Sequence, residues 1–378
     1  MEMMKPAPVP RPRSELRALV VQSNGRATSM RARDLASAFA PGDLLVLNDA
    51  ATMPASLPAH TSRGERIELR LAANRGEARR WTAALLGAGD WRLPTEHRPP
   101  PPPVRAGDRF IIDGKDGLVA IVEKVHALSP RLVDVVFDLP LRRDAHDDAI
   151  WSALYRSGRP VQYAHVPDPL ALWDVQNAWA ARPWAVEMPS AGRALDVETL
   201  SALRARGVAI AFVTHAAGLS AVGDAAIDQA LPLPERYEVP VETLAAIERA
   251  KRVIAVGTSV TRALEAAVGS GRASGITDLK LGPGSRRRVV DAILTGVHEA
   301  GTSHGSLLSS FVSEHVLEEA MRTSLEEGFF GHEFGDVWLI WGEPRDRIGA
   351  TSGRDTIRRS ERSPRVERSR SSAMSLMK

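Results

Sequence analysis

The sequence predicts an α/β protein with a mostly parallel sheet, open or closed into a distorted barrel, and an inserted small antiparallel β-barrel. Short apolar strands alternate with helices after residue 140, which is typical of parallel sheets. Between residues 59 and 140, several short strands are separated by turns, and no good amphipathic helix occurs. A third indication is the stretch 253–265, in which a β-branched strand meets a helix at Gly257.

Composition limits the possible functions. The chain has 378 residues, of which 44% are hydrophobic, enough for two cores. We expect a cytoplasmic protein without a membrane partner, because no apolar run reaches membrane-spanning length and the first residues carry no apolar signal segment. The absence of cysteine excludes disulfides, thiolate metal sites and cysteine nucleophiles. Residues 345–378 carry a net charge of +6 and the remainder −3, so bulk charge does not indicate a strongly basic nucleic-acid binder.

These patterns divide the chain into four parts. Residues 1–14 are proline-rich and are predicted to form a disordered arm. Residues 15–58 and 141–343 are predicted to form a discontinuous α/β domain, into which residues 59–140 insert as the barrel. Residues 344–378 are rich in Arg and Ser and poor in apolar residues, which predicts a disordered tail.

The elements before the second half follow from local patterns. An apolar strand at 18–22 ends at an Asn-Gly turn, and a short helix at 33–39 ends at Pro41-Gly42. The apolar run 43–47 predicts a buried strand that leads into Asn48 and Asp49. Barrel strands are predicted at 66–71, 81–86, 109–112, 118–125 and 131–137.

The second half has the α/β rhythm. Helices are predicted at 147–156, 197–206, 241–251 and 316–327, and strands at 208–214, 253–256 and 337–341. After the strand 253–256, Gly257 lets the backbone turn, and Thr258 and Ser259 are expected to cap a helix running from about Val260 to Gly269. This corner suits a polar or anionic ligand, although an ordinary strand–helix unit has the same pattern.

Ligands of parallel α/β sheets bind beyond the carboxyl ends of the strands. That rule places several polar or glycine-containing segments on one edge of the predicted sheet. The segments are Asn48-Asp49, Ser190-Ala191-Gly192, His215 with Gly218, Gly257-Thr258-Ser259 and His298.

Six segments together resemble one family, the S-adenosylmethionine:tRNA ribosyltransferase-isomerases of queuosine biosynthesis. Their order and spacing extend over nearly all of residues 14–341. The segments are P-G-D-L-L-V-L-N-D (41–49), P-S-A-G (189–192), G-V-A-I-A-F-V-T (207–214), R-Y-E-V-P (236–240), V-I-A-V-G-T-S-V-T-R-A-L-E (253–265) and E-E-G-F-F-G-H-E-F-G-D-V-W-L-I (326–340).

The resemblance implies that the ribosyl part of S-adenosylmethionine is transferred to a 7-aminomethyl-7-deazaguanine base in a tRNA anticodon stem-loop and isomerised to give epoxyqueuosine. S-adenosylmethionine is consumed, so the resemblance implies no cofactor and no metal, and we expect a monomer. The sulfonium acidifies the neighbouring ribose carbon, which a positioned base could deprotonate. Adenine and methionine leave.

The resemblance also assigns site residues. His298 and Glu238 are the catalytic candidates. The substrate-binding candidates are Asn48, Asp49, Gln176, Ser190, Ala191, Gly192, Tyr237, Gly257, Thr258, Ser259, Arg262 and Glu265. Arg262 and Glu265 are three residues apart, so they could instead pair on one helix face.

The chain departs from the family pattern at several polar positions. Ala50 and Ala51 stand where the family has Thr-Arg, Ala216 and Leu233 replace histidines, and His215 is displaced by one residue. These replacements leave a second hypothesis open: a catalytically eroded or repurposed paralogue that binds a nucleoside or S-adenosylmethionine without this chemistry.

Overall fold

The structure is a computed structural model that describes residues 4–140, 146–299 and 301–344. Its strands are β1 Arg17–Val21, β2 Ala27–Arg31, β3 Asp43–Asn48, β4 Ala50–Thr52, β5 Ser56–Thr61, β6 Arg66–Asn74, β7 Arg80–Leu86, β8 Arg109–Ile112, β9 Val119–Val125, β10 Leu132–Asp138, β11 Arg182–Ala185, β12 Ala209–His215, β13 Glu235–Glu238, β14 Arg252–Val256, β15 Ser274–Thr277, β16 Ala292–Gly296 and β17 Val337–Trp341. Its α-helices are α1 Asp147–Ser157, α2 Val197–Ala205, α3 Ala225–Ala230, α4 Val241–Arg249, α5 Thr258–Ser270, α6 Ser303–Leu308 and α7 Glu314–Glu326.

A nine-stranded mixed sheet forms the body, in the order β15-β13-β12-β3-β14-β16-β17-β1-β2. The four strands β12, β3, β14 and β16 are parallel to one another. Antiparallel pairs occur at both flanks and where β16 meets β17. The predicted α/β class is therefore confirmed, with the parallel part at the centre of the sheet.

The second unit is a closed antiparallel barrel in the order β10-β7-β6-β5-β8-β9. Its strands run from Ser56 to Asp138, between β4 and α1. Closure removes free strand edges, and Ile150, Ala153 and Leu154 of α1 pack against the barrel core. Its interior is apolar and includes Trp81, Phe110 and Phe137, each at most 1% exposed. The predicted inserted barrel is confirmed.

Alternation along the central strands fills both faces of the sheet. Leu44 and Val46 of β3 pack into one core, and Leu45 and Leu47 pack into the other. Because successive side chains of a strand point to opposite faces, a run of apolar residues needs cover on both sides. Helix α5 covers the first face, and α2 covers the second. This double cover restricts ligand access to the ends of the strands.

Some local predictions differ from the structure. The short helix predicted at 33–39 is a 3-10 helix at Ala32–Ala38, and β2 and β5 were not predicted. Strand β2 is mostly polar and β5 contains Pro58, so neither has the apolar alternation that indicates a strand. In the described residues, no helix combines the length and the apolar content that crossing a bilayer requires.

The N-terminal arm, predicted to be disordered, is packed from residue 4 onward. Met4 and Ala7 are buried, and Pro6 forms a bridge with Gly331. Asp336 fastens this region: its buried carboxylate accepts hydrogen bonds from Arg11 Nη1 (2.9 Å), Arg17 N (2.8 Å) and Phe330 N (2.8 Å). Composition alone does not reveal the contacts of Arg11 and Arg17, because these residues lie more than 300 positions from Asp336. The predicted tail lies outside the described residues, apart from Pro344.

We predict that Asp336→Asn lowers the free energy of unfolding by about 2–4 kcal/mol, since it weakens several charge-assisted hydrogen bonds of a buried carboxylate. Urea unfolding at pH 7 measures the change. Asp113→Asn, at a half-exposed carboxylate, is the matched control and should change stability little. Equal stability of Asp336→Asn and the parent protein would contradict this account of the arm.

Candidate active site

The four parallel strands end at one edge of the sheet, as predicted. Asn48, His215, Val256 and Gly296 are the last residues of β3, β12, β14 and β16. The segments that follow these strands therefore lie side by side. Polar groups concentrate at this edge, which is where the candidate residues are found.

Gly257 forms the corner between β14 and α5. Its φ is +95° and its ψ is 158°, a conformation that favours glycine. Its N–H donates to the carbonyl of Leu294 (2.8 Å), which ties the corner to β16. Helix α5 begins directly at Thr258 with Gly257 as its N-cap, so the predicted capping by Thr258 and Ser259 and the predicted start at Val260 are wrong.

The hydroxyls of Thr258 and Ser259 are therefore not used to cap α5. Among the described residues, neither hydroxyl has a hydrogen-bond partner, although each residue is at most 9% exposed. The first N–H groups of a helix also lack intrahelical partners and favour negative charge. The corner can thus offer both hydroxyls and N–H groups to a polar ligand.

A second corner lies against the first. Ser190, Ala191 and Gly192 belong to a 3-10 helix at Ser190–Ala194. A Cβ placed on Gly257 would lie 3.6 Å from the Cβ of Ala191. The two segments predicted to bind one ligand therefore meet, although they are more than sixty residues apart in sequence.

A buried charged group lies one turn further along α5. Arg262 Nη2 donates to Glu235 Oε2, and Glu235 Oε1 accepts from Gly218 N (2.7 Å). His215 Nε2 is 3.3 Å from the same carboxylate, without hydrogen-bond geometry. Burial and the charge of Arg262 hold the pKa of His215 well below its usual range, so its imidazole is neutral. Burial raises the pKa of Glu235, and Arg262 opposes that rise.

A histidine pair follows β16. The rings of His298 and His304 stack with centroids 4.7 Å apart, and His298 Nε2 lies 2.9 Å from Thr295 Oγ1. Burial, and then the charge of His304, hold the pKa of His298 well below its usual value. Burial and Arg262 lower the pKa of His304 to about 4. Both rings are neutral at pH 7 and can accept a proton, as a general base does.

Glu238 also lies at this edge, but it is already paired. Arg182 Nη1 and Nη2 contact its two carboxylate oxygens at 2.8 and 2.9 Å. The hydrogen bond from Arg182 lowers the pKa of Glu238. Glu238 can therefore hold a cation or accept a proton, but it does not donate one at neutral pH. Asp49 accepts a hydrogen bond from Thr214 Oγ1 (2.6 Å) nearby.

Four of the predicted substrate contacts are occupied by the protein. Asn48 bonds the backbone of His215 and Ala50, and Gln176 bonds both backbone groups of Thr52. Tyr237 is 2% exposed and donates to the carbonyl of Arg272. These side chains shape the edge and offer few free groups to a ligand.

Glu265 is the fourth of these residues. Its carboxylate accepts from the backbone N–H groups of Arg288 (2.7 Å), Val289 (2.9 Å) and Val290 (2.9 Å). It therefore fastens the segment before β16. The alternative that Arg262 and Glu265 pair with each other is wrong, because Arg262 bonds Glu235.

A cavity of about 290 Å³ lies between the barrel and the sheet. Glu235 lines it and also reaches Arg262, which connects the cavity to α5. Thr258 and Arg262 are four residues apart and so share one face of that helix. Trp184, against which Arg236 packs at 3.8 Å, lines the cavity as well.

The sequence interpretation missed several groups of this site. Glu235 and His304 were not predicted as site residues, whereas His215 was placed at this edge together with Gly218. The pairing of Glu235 gives no local signal, because its partner is Arg262 of α5 and not the neighbouring Arg236. The spacing of His298 and His304 on either side of a turn was visible, but their stacking was not.

The fold and this edge define a class: α/β proteins with an inserted barrel that bind a polar ligand where a strand turns into a helix. Residues 2–340 match the family described as queuosine biosynthesis protein, and the chain belongs to that family.

Curated relatives agree with this assignment. Those from Acidithiobacillus ferrooxidans, Rubrobacter xylanophilus and Thermus thermophilus are named S-adenosylmethionine:tRNA ribosyltransferase-isomerase. Their sequences are 33%, 30% and 32% identical to this chain. The alignments cover 88%, 88% and 87% of this chain and 93% of each relative. The comparisons lend no support to the alternative of an eroded paralogue.

We predict that His304 makes the stability of the protein depend on pH. Its pKa is about 4 in the folded protein and 6.5 ordinarily, so the unfolded chain binds more protons between these values. The stabilisation is present above pH 6.5 and is lost as the pH falls towards 4; by pH 5 about 2 kcal/mol is lost.

Urea unfolding of the parent protein and His304→Gln at pH 7 and pH 5 measures this contribution. The variant should lose less stability between the two pH values than the parent. His315→Gln, at an exposed residue of α7, is the control and should behave like the parent. The same pH dependence in His304→Gln and the parent would contradict the burial of a neutral His304.

Proposed function

We propose that this protein is an S-adenosylmethionine:tRNA ribosyltransferase-isomerase. In this reaction the ribosyl moiety of S-adenosylmethionine moves to a 7-aminomethyl-7-deazaguanine base in a tRNA anticodon stem-loop, and epoxyqueuosine forms. The observation that carries the proposal is that the Gly257 corner lies against Ala191, so that a Cβ placed on Gly257 would be 3.6 Å from the Cβ of Ala191, in a chain that matches this family over residues 2–340. The protein would act in the cytoplasm, as a monomer and without a cofactor.

S-adenosylmethionine would bind where the two corners meet. The unpartnered hydroxyls of Thr258 and Ser259 and the first N–H groups of α5 suit its hydroxyl and carboxylate groups. Ser190–Gly192 would close the other side. Glu235 bonds Arg262 and so fixes the guanidinium one helical turn along α5 from Thr258. Fixed groups favour catalysis because they need not reorganise during the reaction.

His298 is our candidate for the base that removes the ribose proton. Its lowered pKa keeps the imidazole neutral, and Thr295 orients the ring. The neutral imidazole of His298 would first accept the ribose proton. The protonated imidazole would then supply the proton that the departing adenine needs. Glu238, kept ionised by Arg182, would stabilise the developing positive charge or the incoming amine.

The acceptor base would enter the cavity between barrel and sheet. Trp184 offers a ring for stacking, and Glu235 offers a buried carboxylate. Flipped bases are commonly bound by stacking and by hydrogen bonds to their edges. The barrel would then help to hold the stem-loop.

The direct test of this function is adenine release. Purified protein is incubated with S-adenosylmethionine and with tRNA that carries the 7-aminomethyl-7-deazaguanine base, and adenine and methionine are measured by chromatography. We expect both products and a ribosyl-modified tRNA. The control is tRNA with unmodified guanine. Bound S-adenosylmethionine without adenine release would overturn the catalytic proposal and favour a binding protein.

We predict that Thr258→Ala weakens the binding of S-adenosylmethionine about 5–10-fold, since it removes one hydrogen-bonding group worth about 1–1.4 kcal/mol. Isothermal titration calorimetry measures the affinity. Thr323→Ala, which removes a hydroxyl bonded within α7, is the matched control and should leave the affinity unchanged. Unchanged affinity of Thr258→Ala would remove this corner from the binding site.

A further inference from the structure

A second polar cluster lies at the turn before β17. His165, His332 and Glu333 each place one metal-ligating atom within 4.8 Å of the other two. His165 Nε2 is 3.0 Å from Glu333 Oε2, and the rings of His165 and His332 have centroids 4.4 Å apart. His165 belongs to the irregular segment between α1 and β11, whereas the other two belong to the turn before β17. None of these residues has a part in the proposed reaction.

We propose that His165, His332 and Glu333 form a binding site for a divalent transition-metal ion of the Zn²⁺ type. Two imidazoles and one carboxylate are a ligand set that Zn²⁺ accepts, with a fourth position open to water. Mg²⁺ and Ca²⁺ prefer all-oxygen ligands, so this set discriminates against them. The expectation of no metal came from the absence of cysteine and from the family reaction, and an imidazole–carboxylate site conflicts with neither.

The distances fit such an ion after small side-chain rotations. Ligand atoms about 2.0–2.1 Å from a tetrahedral zinc lie about 3.3 Å from one another. The pair His165–Glu333 is already at 3.0 Å, and the remaining separations are no more than 4.8 Å. Closing them requires shifts of about 1–2 Å, which rotation of an exposed imidazole supplies.

The backbone holds His332 in a conformation that an ordinary turn residue rarely adopts. Its φ is +63°, and among the described residues it is the only non-glycine with a positive φ. Its carbonyl accepts from Gly335 N (3.0 Å), which closes the turn. Such strain persists where the surroundings fix the residue, and it is common at ligand sites. Here it places the imidazole over His165.

A bound ion would fasten the segment of His165 to the turn before β17, because its ligands come from both parts of the chain.

The test is titration of the full chain with Co²⁺ after removal of metals by a chelator. Co²⁺ takes the place of Zn²⁺, and its visible d–d absorption reports the coordination geometry. We expect one equivalent to bind, Zn²⁺ to displace it, and Mg²⁺ to leave the spectrum unchanged. His332→Gln and Glu333→Gln should each lower the Co²⁺ affinity at least tenfold.

The control is His60→Gln, which removes another histidine–carboxylate pair (His60–Asp113, 3.2 Å) and should bind Co²⁺ like the parent. Circular dichroism of the metal-free variants checks that they are folded, and a Zn²⁺-dependent rise of Tm in the parent should be absent from His332→Gln. No stoichiometric binding, or equal affinity in His332→Gln and the parent, would overturn the metal site. Neither result depends on the ribosyltransferase activity, which is measured separately by adenine release.

Discussion

The left-handed backbone at Gly257 is the constraint on which the site depends. With φ at +95°, Gly257 lets the chain leave β14 and enter α5 without an intervening loop. The N–H of Gly257 donates to the carbonyl of Leu294 on the neighbouring strand β16. A side chain at this position would strain the backbone more than it would crowd its neighbour, because the space next to Ala191 is ordinary contact distance. The start of α5 is therefore held at the edge of the sheet, facing the turn of Ser190–Gly192.

Fixed charge accompanies this fixed backbone. Glu235 bonds Arg262 and the N–H of Gly218, so one buried carboxylate joins α5, β13 and the segment after β12. Leaving either member unpaired would be costly, which explains why the pair is buried together. The charge of Arg262 also helps to keep His215 and His304 neutral. The chemistry available at this edge of the sheet therefore depends on the Arg262–Glu235 ion pair as well as on the histidines.

The sequence predicted the class of fold because the apolar pattern is local: residues 337–341 were predicted as a strand with the bounds that β17 has. It predicted the barrel for the same reason. It failed for the arm, since Asp336 holds Arg11 and Arg17 through contacts across the whole chain. In the site, the meeting of the two corners was predicted from the rule for parallel sheets. The partners of Glu265, Gln176 and Arg262 were not, because a side chain's partner depends on packing between distant elements.

The central claim is that one ligand occupies the space between the Ser190–Gly192 turn and the Gly257 corner. A crystal structure of the protein with S-adenosylmethionine tests it most directly. The account predicts electron density for the ligand within hydrogen-bond distance of Thr258 or Ser259 and in contact with Ala191. Density for S-adenosylmethionine at another place in the molecule, with this space filled by water, would contradict it.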